Sequence, residues 1–172
     1  MLNTIKQYRI FVMFLTLLVC CGLMLTTLYY GIGSVVVRGI SMEDSIHDGD
    51  KFITNEFAYK LRAPQYNDIV ILDAETIPGH ELYIKRVVGL PGDEIMIRNN
   101  ELYRNGEKIT EPYIKEKMNE RDFTTIVPPN HIYVMGDNRN HSSDSRVFDA
   151  IDYEEEVKAT VLFRLKPFNQ HY

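Results

Sequence analysis

Residues able to act as nucleophile or base fall in three short segments of this chain. The densest is GDNRNHSSDSR, residues 136–146, where His141, Ser142 and Asp144 stand almost side by side after the apolar run HIYVM. Those residue types make a hydrolase triad when the base lies about 3 Å from the nucleophile on one side and from an orienting carboxylate on the other. Near neighbours in an extended chain point their side chains apart, so triad members come from separated segments. His141 therefore reads as a solvated loop residue. His47, His80, His131 and His171 sit beside turns or at the chain end and offer no better base.

The second segment is ELYIKRVVGL, in which Lys85 and Arg86 interrupt a strand otherwise built from Leu82, Tyr83, Ile84, Val87 and Val88. Strand side chains alternate, so the two basic residues face opposite sides. Arginine cannot serve as a base, because its pKa stays above about 12. A lysine held among apolar groups can, since desolvation disfavours its charged form and brings the pKa from about 10.4 towards about 7–8. A lone strand lysine otherwise snorkels to the surface. The third segment, RGISMEDSIHDGD, places Ser41 directly after the strand SVVVRGI. A serine there can cap a local turn. With Lys85 as its base it can instead attack a peptide carbonyl, the Ser-Lys form of nucleophilic catalysis.

The elements that must position these residues are strands. SVVVRGI, KFITNEF, NDIVILDA, ELYIKRVVGL, FTTIVPPNHIYVMGD and VKATVLFRL are β-rich or apolar runs separated by turn residues. DEIMIRNNELYRNGEKI alternates and is broken by Asn-Asn and by Asn-Gly; the latter is a strong hairpin signal, because a type I′ turn needs φ > 0 at both central residues. Helical periodicity outside the N-terminal segment is confined to weak signals at 54–62 and 152–158. The expected class is mostly β, with a small inserted β excursion at about 92–127 that begins after the GLPGD turn and returns to the main sheet at HIYVMGD.

Before the strands lies IFVMFLTLLVCCGLMLTTLYYGIGSVVV, residues 10–37, with no charged residue. About 20 apolar residues cross the hydrocarbon core of a bilayer. Tyr29 and Tyr30 suit an interfacial anchor, and Lys6 and Arg9 before the run place the N-terminus in the cytoplasm by the positive-inside rule. The run exceeds a signal peptide's apolar core and lacks an Ala-x-Ala-like cleavage site, so it reads as a retained anchor. The expected organisation is a cytoplasmic N-terminus and single anchor over 1–37, then an extracytoplasmic β domain over 38–172 on the outer face of the cell membrane.

Charge excludes other partners. The chain of 172 residues carries a net charge of −5, and residues 38–172 hold 17 Lys/Arg against 24 Asp/Glu. That balance argues against nucleic acid, whose phosphates demand a basic face. Cys20 and Cys21 are adjacent within the apolar run, where they face lipid or a helix partner or carry a palmitoyl group; no Cys/His spacing suggests zinc or another metal, and no cofactor is indicated.

Taken together, SM after a strand, YIKRVVGLPGD and GDNRNHSSDSR resemble, in this order, the conserved boxes of bacterial type I signal peptidases, the Ser-Lys dyad serine proteases of the S26 family. A single anchor and a short catalytic domain are similar to the Gram-positive branch. The resemblance implies a signal-peptidase-like β fold, removal of signal peptides from exported preproteins through an acyl-enzyme, and shallow pockets for small residues at the first and third positions before the cut. Its partners would be preprotein signal peptides, the lipid bilayer and the secretion translocon. Ser41, followed by Met42, matches the nucleophile and Lys85 the general base. Ser142 matches a serine that hydrogen-bonds and orients the lysine, Asp144 and Arg146 an ion pair bracing the site, and Asp137 and Arg139 residues that hold the turn. Some members place an oxyanion-binding hydroxyl two residues before the nucleophile; here that position is Gly39, as in Gram-positive members. The nucleophile box departs from the usual Ser-Met-x-Pro-Thr-Leu by reading Ser41-Met42-Glu43-Asp44-Ser45-Ile46. A carboxylate at Asp44, if near Lys85, would favour the charged lysine and oppose its use as base. A different reading is a signal-peptidase-like pilus assembly factor, either a peptidase dedicated to pilin precursors or a non-catalytic chaperone; the latter would be expected to lack Ser41 or Lys85. Self-cleaving repressors share the dyad but carry a DNA-binding module in place of the anchor.

Overall fold

The computed structural model describes residues 2–73 and 82–166. The Pro-Gly turn before Lys85, His80 and His171 lie outside them. The chain divides into two compact units, Met1–Ile32 and Gly33–Tyr172.

The first unit is helix α1, Leu2–Gly31. Its stretch Ile5–Thr26 is long and apolar enough to cross a membrane by length and composition. Polar groups inside it are satisfied locally: the Thr16 hydroxyl reaches the carbonyls of Val12 and Met13, and that of Thr26 reaches Gly22 and Leu23. A membrane-spanning helix requires this, because lipid supplies no hydrogen-bond partner. The uncharged run does not stay helical to its end. After Gly31, where β-branched residues accumulate, it turns into strand.

The second unit is built on two antiparallel sheets. Its strands are β1 (Ile32–Val36), β2 (Lys51–Asn55), β3 (Ile69–Leu72), β4 (Tyr83–Gly89), β5 (Glu94–Arg98), β6 (Glu101–Arg104), β7 (Glu107–Lys108), β8 (Phe123–Ile126), β9 (His131–Met135), β10 (Ile151–Asp152) and β11 (Val157–Lys166). The larger sheet has the order β1-β2-β11-β3-β4-β9-β10, and the smaller β7-β6-β5-β8. The smaller sheet is the excursion expected after the GLPGD turn. Its two hairpins turn at Asn99-Asn100 (φ 53° and 63°) and at Asn105-Gly106 (φ 54° and 81°), the left-handed pairs a type I′ turn demands. Of the two weak helical signals, 54–62 yields a single turn, α2 (Ala58–Leu61), and 152–158 forms the turn into β11. Another turn, α3 (Ser145–Phe148), starts at Asp144 inside the polar segment.

Apolar side chains fill three clusters that share β4. Val87 packs with Val70, Leu72, Ile132 and Val134. Val88 joins Ile95, Ile97 and Leu102 of the small sheet to Tyr133 and Met135. Ile84 packs with Val37, Met42, Ile46, Phe52 and Ile71. Lys85 leaves the strand among these clusters, opposite Val70 of β3.

Candidate active site

The Ser41 segment is positioned by what it buries. Met42 is 1% exposed and Ile46 4%, so the turn is pinned to the core on both sides of Glu43, Asp44 and Ser45. Main-chain bonds close the loop at its base, from Val37 N to Asp50 O at 2.8 Å and from Gly49 N to Val37 O at 2.9 Å. The buried Asp50 carboxylate accepts from His47 N at 2.9 Å and pairs with Arg164 of β11 at 3.2 Å. Ser41 itself stays half-buried at the top of this loop.

Lys85 comes from the other side. It is 1% exposed, and its Nζ lies 3.0 Å from Ser41 Oγ and 3.0 Å from the carbonyl oxygen of Ile84. Burial lowers its pKa to about 8; Arg146 adds to the fall, while Asp144 and Asp137 oppose it. Asp44 is not among the groups that act on Lys85. Its side chain is 67% exposed and sits 3.3 Å from Lys115, so the charge that replaces the usual proline is turned to solvent and to a cation of its own.

The GDNRNHSSDSR segment follows β9 and wraps the lysine. Asp137 accepts two bonds from Arg86, at 2.8 and 2.7 Å, which settles the fate of the second basic residue of β4: it faces away from Lys85 onto a buried carboxylate. Asp144 caps α3 by accepting from Arg146 N, binds the Arg146 guanidinium through both oxygens at 2.8 Å, and accepts from Gly136 N at 2.9 Å. Arg139 is fully buried; its Nε donates to Gly136 O at 3.1 Å and its two Nη groups clasp Glu111. Ser142 Oγ is buried but has no hydrogen-bond partner, so the contact to Lys85 that the resemblance implied is not formed in this structure. His141 is exposed and its N–H bonds back to Asn138 O, far from any role as base. Gly39 adopts φ +91° with open space where a side chain would stand, and its N–H is taken by Asp48 at 2.8 Å.

Three residues that matter here were not singled out in the sequence. Asn138 donates from its backbone N to Ser41 O at 3.0 Å and from its side chain to Ile40 O at 3.0 Å, clamping the serine's own peptide groups. Gly136 lies so close to both walls that a Cβ there would stand 2.2 Å from Ser142 Oγ and 2.5 Å from Ser41 O. Glu111 neutralises Arg139 from 28 residues away. The signal for the first two was their place inside the dense segment; for Glu111 there was none.

Beside the dyad runs a groove of about 340 Å³ lined by Val35, Val37, Ile71, Leu82, Tyr83 and Ile84. It joins the edge strand β1 to the start of β4, ending at the residue next to Lys85. Serine, buried lysine and an apolar groove along a strand edge can together bind an extended peptide and attack its carbonyl.

Comparison with known proteins agrees with this chemistry. Residues 9–165 match the family described as signal peptidase, peptidase S26. Signal peptidase I of Bacillus amyloliquefaciens is 35% identical over 145 residues, covering 78% of this chain and 76% of that protein. Signal peptidase IB of Staphylococcus aureus is 32% identical over 152 residues, covering 78% of each. The crystal structure of a signal peptidase I from Enterococcus faecalis superposes with a TM-score of 0.51 at 30% identity, over 59% of this chain and 98% of that one. With a buried lysine against a serine on a β scaffold and these relatives on both measures, the chain belongs to the signal peptidase family, peptidase S26.

Proposed function

We propose that the signal peptidase I activity of this chain runs through Ser41 as nucleophile and Lys85 as general base. The observation that carries the reading is the 3.0 Å approach of a buried lysine amine, its pKa lowered to about 8, to the serine hydroxyl. In the neutral form Lys85 takes the proton of Ser41 as Oγ adds to the scissile carbonyl of a preprotein. The negative charge that develops on the carbonyl oxygen is met by the Ser41 backbone N–H; Gly39 contributes no hydroxyl to it. Collapse of the tetrahedral adduct breaks the C–N bond, and the protonated Lys85 gives its proton to the departing amine. The signal peptide is left as an ester on Ser41. A water deprotonated by Lys85 then attacks that ester, releases the signal peptide's carboxylate and restores the serine.

Asp144, Arg146, Asp137, Arg139 and Met42 hold these two groups in place. The Ser142 hydroxyl, buried and unpartnered in this structure, is the acceptor assigned to a Lys85 N–H, an arrangement that leaves the amine's lone pair for Ser41. The substrate lies extended along β1 in the groove, where Ile71 and Ile84 limit room below the chain to small residues at the first and third positions before the cut. Lys6 and Arg9 hold the N-terminus of α1 in the cytoplasm, so the site faces the outer surface, where the signal peptide emerges from the translocon. Anchoring enzyme and substrate in one bilayer raises their effective concentration.

The test is cleavage of a preprotein in detergent by the wild type beside Ser41→Ala and Lys85→Ala. Wild type should cut after a small residue, and each variant should lose about 10⁴-fold or more in kcat, as when a member of a nucleophile-base pair is removed. An active Lys85→Ala would remove lysine from the mechanism.

A further inference from the structure

The loop between β7 and β8 takes no part in the scheme above, yet it touches both walls of the site. Towards the nucleophile loop, Lys115 stands 3.3 Å from Asp44 and 3.6 Å from Glu43, and the Ser45 hydroxyl donates to Tyr113 O at 3.3 Å. Towards the polar turn, Glu111 receives Arg139, and Asn140 donates to Glu116 Oε1 at 2.8 Å and to Lys117 O at 3.1 Å while accepting from Asn119 N at 2.7 Å. In the middle, the Tyr113 ring lies 4.1 Å from the Arg86 guanidinium, which holds Asp137, and the Tyr113 hydroxyl donates to Glu111 at 3.0 Å.

We infer that residues 111–119 are a strap that fixes Ser41 against Lys85, and that Glu111 is its positioning residue. The inference rests on the Ser-Lys reading of the site. Glu111 acts through Arg139, whose side chain is 0% exposed against 5% for the carboxylate. A buried guanidinium needs that counter-charge, or it draws on other acceptors and on water. Its Nε holds the Gly136 carbonyl, and its own carbonyl accepts from Arg146 at 2.6 Å. Gly136 is wedged between Ser41 O and Ser142, so a shift of Arg139 passes directly to the distance between nucleophile and base. None of residues 111–119 lines the groove, and the Lys85 amine is held by Ser41 and the Ile84 carbonyl. Its loss therefore slows the chemical step and leaves substrate binding alone.

The experiment measures kcat, KM and thermal melting for the full chain in detergent, with wild type and Ser41→Ala alongside. Glu111→Gln, which keeps the shape and removes the charge, should lower kcat about 10- to 100-fold, the cost of a small misplacement of reacting groups, with KM within about two-fold of wild type. Adding Glu111→Leu to Arg139→Met should cost far less in kcat than Glu111→Leu alone, because the carboxylate acts chiefly through the guanidinium. Tyr113→Phe removes one hydrogen bond to Glu111 and should lower kcat about two- to five-fold. A folded Glu111→Gln enzyme with wild-type kcat, or losses in the double variant that add, overturns the inference. If Glu111→Gln does not fold, Tyr113→Phe decides: reduced kcat at unchanged KM upholds the strap, and unchanged kcat overturns it. A wild type that cuts nothing strikes the Ser-Lys reading instead.

Discussion

The two walls of the site are held by different physics. The nucleophile loop, 37–50, is fastened mainly by apolar side chains and main-chain bonds: Met42 and Ile46 enter the core, and Val37 closes the loop against Gly49 and Asp50. The turn at 136–146 is fastened by charge. Asp137 meets Arg86, Asp144 meets Arg146, and Arg139 meets Glu111, every pair mostly or fully withdrawn from solvent. The difference bears on Lys85. On the proposed mechanism the serine needs only to be placed, and packing does that. A lysine that must give up its proton near neutral pH needs surroundings whose charges cancel, so that burial alone decides its state. Each carboxylate near it is matched by an arginine, and the balance leaves desolvation as the dominant influence on its pKa.

Breaking the charged wall should have the larger effect. Asp144→Asn takes from the mostly buried Arg146 its nearest carboxylate, leaving Glu120 at 3.7 Å, and should destabilise the fold by about 3 kcal/mol or more in urea denaturation. It also removes the carboxylate that raises the pKa of Lys85 while Arg146, which lowers it, remains. The acidic limb of the rate profile should therefore move to lower pH. Breaking the apolar wall at Met42→Ala should cost about 2–4 kcal/mol through the cavity left behind and lower kcat as the Ser41 turn loosens, with the midpoint of the pH profile unchanged. An equal shift of that midpoint in both variants would erase the distinction between the walls. The smallest effect is expected at Asp44→Asn, which removes an exposed pair with Lys115 worth about 0–1 kcal/mol and should leave both kcat and the midpoint where they are.

What the sequence disclosed follows the same division. Local chemistry was legible: the Asn-Gly and Asn-Asn hairpins, the alternation that sends Lys85 and Arg86 to opposite faces, and the presence of one long apolar helix, though not its end at Gly31, are properties of neighbouring residues. Ser41 and Lys85 were legible as residue types in suggestive places, but their 3.0 Å approach joins positions 44 residues apart. Partners at long range were not legible. Nothing near Glu111 marks it as the counter-charge of Arg139, and the Asn138 side chain reaches Ile40 across 98 positions. The sheet order was hidden for the same reason, since β11 lies between β2 and β3. The effect of Asp44 depended on a distance that the order of residues does not carry: in one dimension it stands three residues from Ser41, and in three it faces Lys115.

Lys85 also leaves a mark on stability. Its folded pKa of about 8 lies below the 10.5 of a free lysine. Below pH 8 both folded and unfolded chains carry the proton, and the fold bears the cost of a buried charge. Between about 8 and 10.5 the unfolded chain holds a proton that the native state has released, so stability rises with pH across that window.

The most direct test of the account is the pH dependence of kcat/KM for wild-type cleavage of a preprotein peptide. Only the neutral lysine can accept the Ser41 proton, so the rate should climb with pH, reach half its maximum near the Lys85 pKa of about 8 and level off above it. A rate that is flat through this range, or that climbs only towards 10.5, the value of an unperturbed lysine, would contradict a buried, neutral Lys85 as the base.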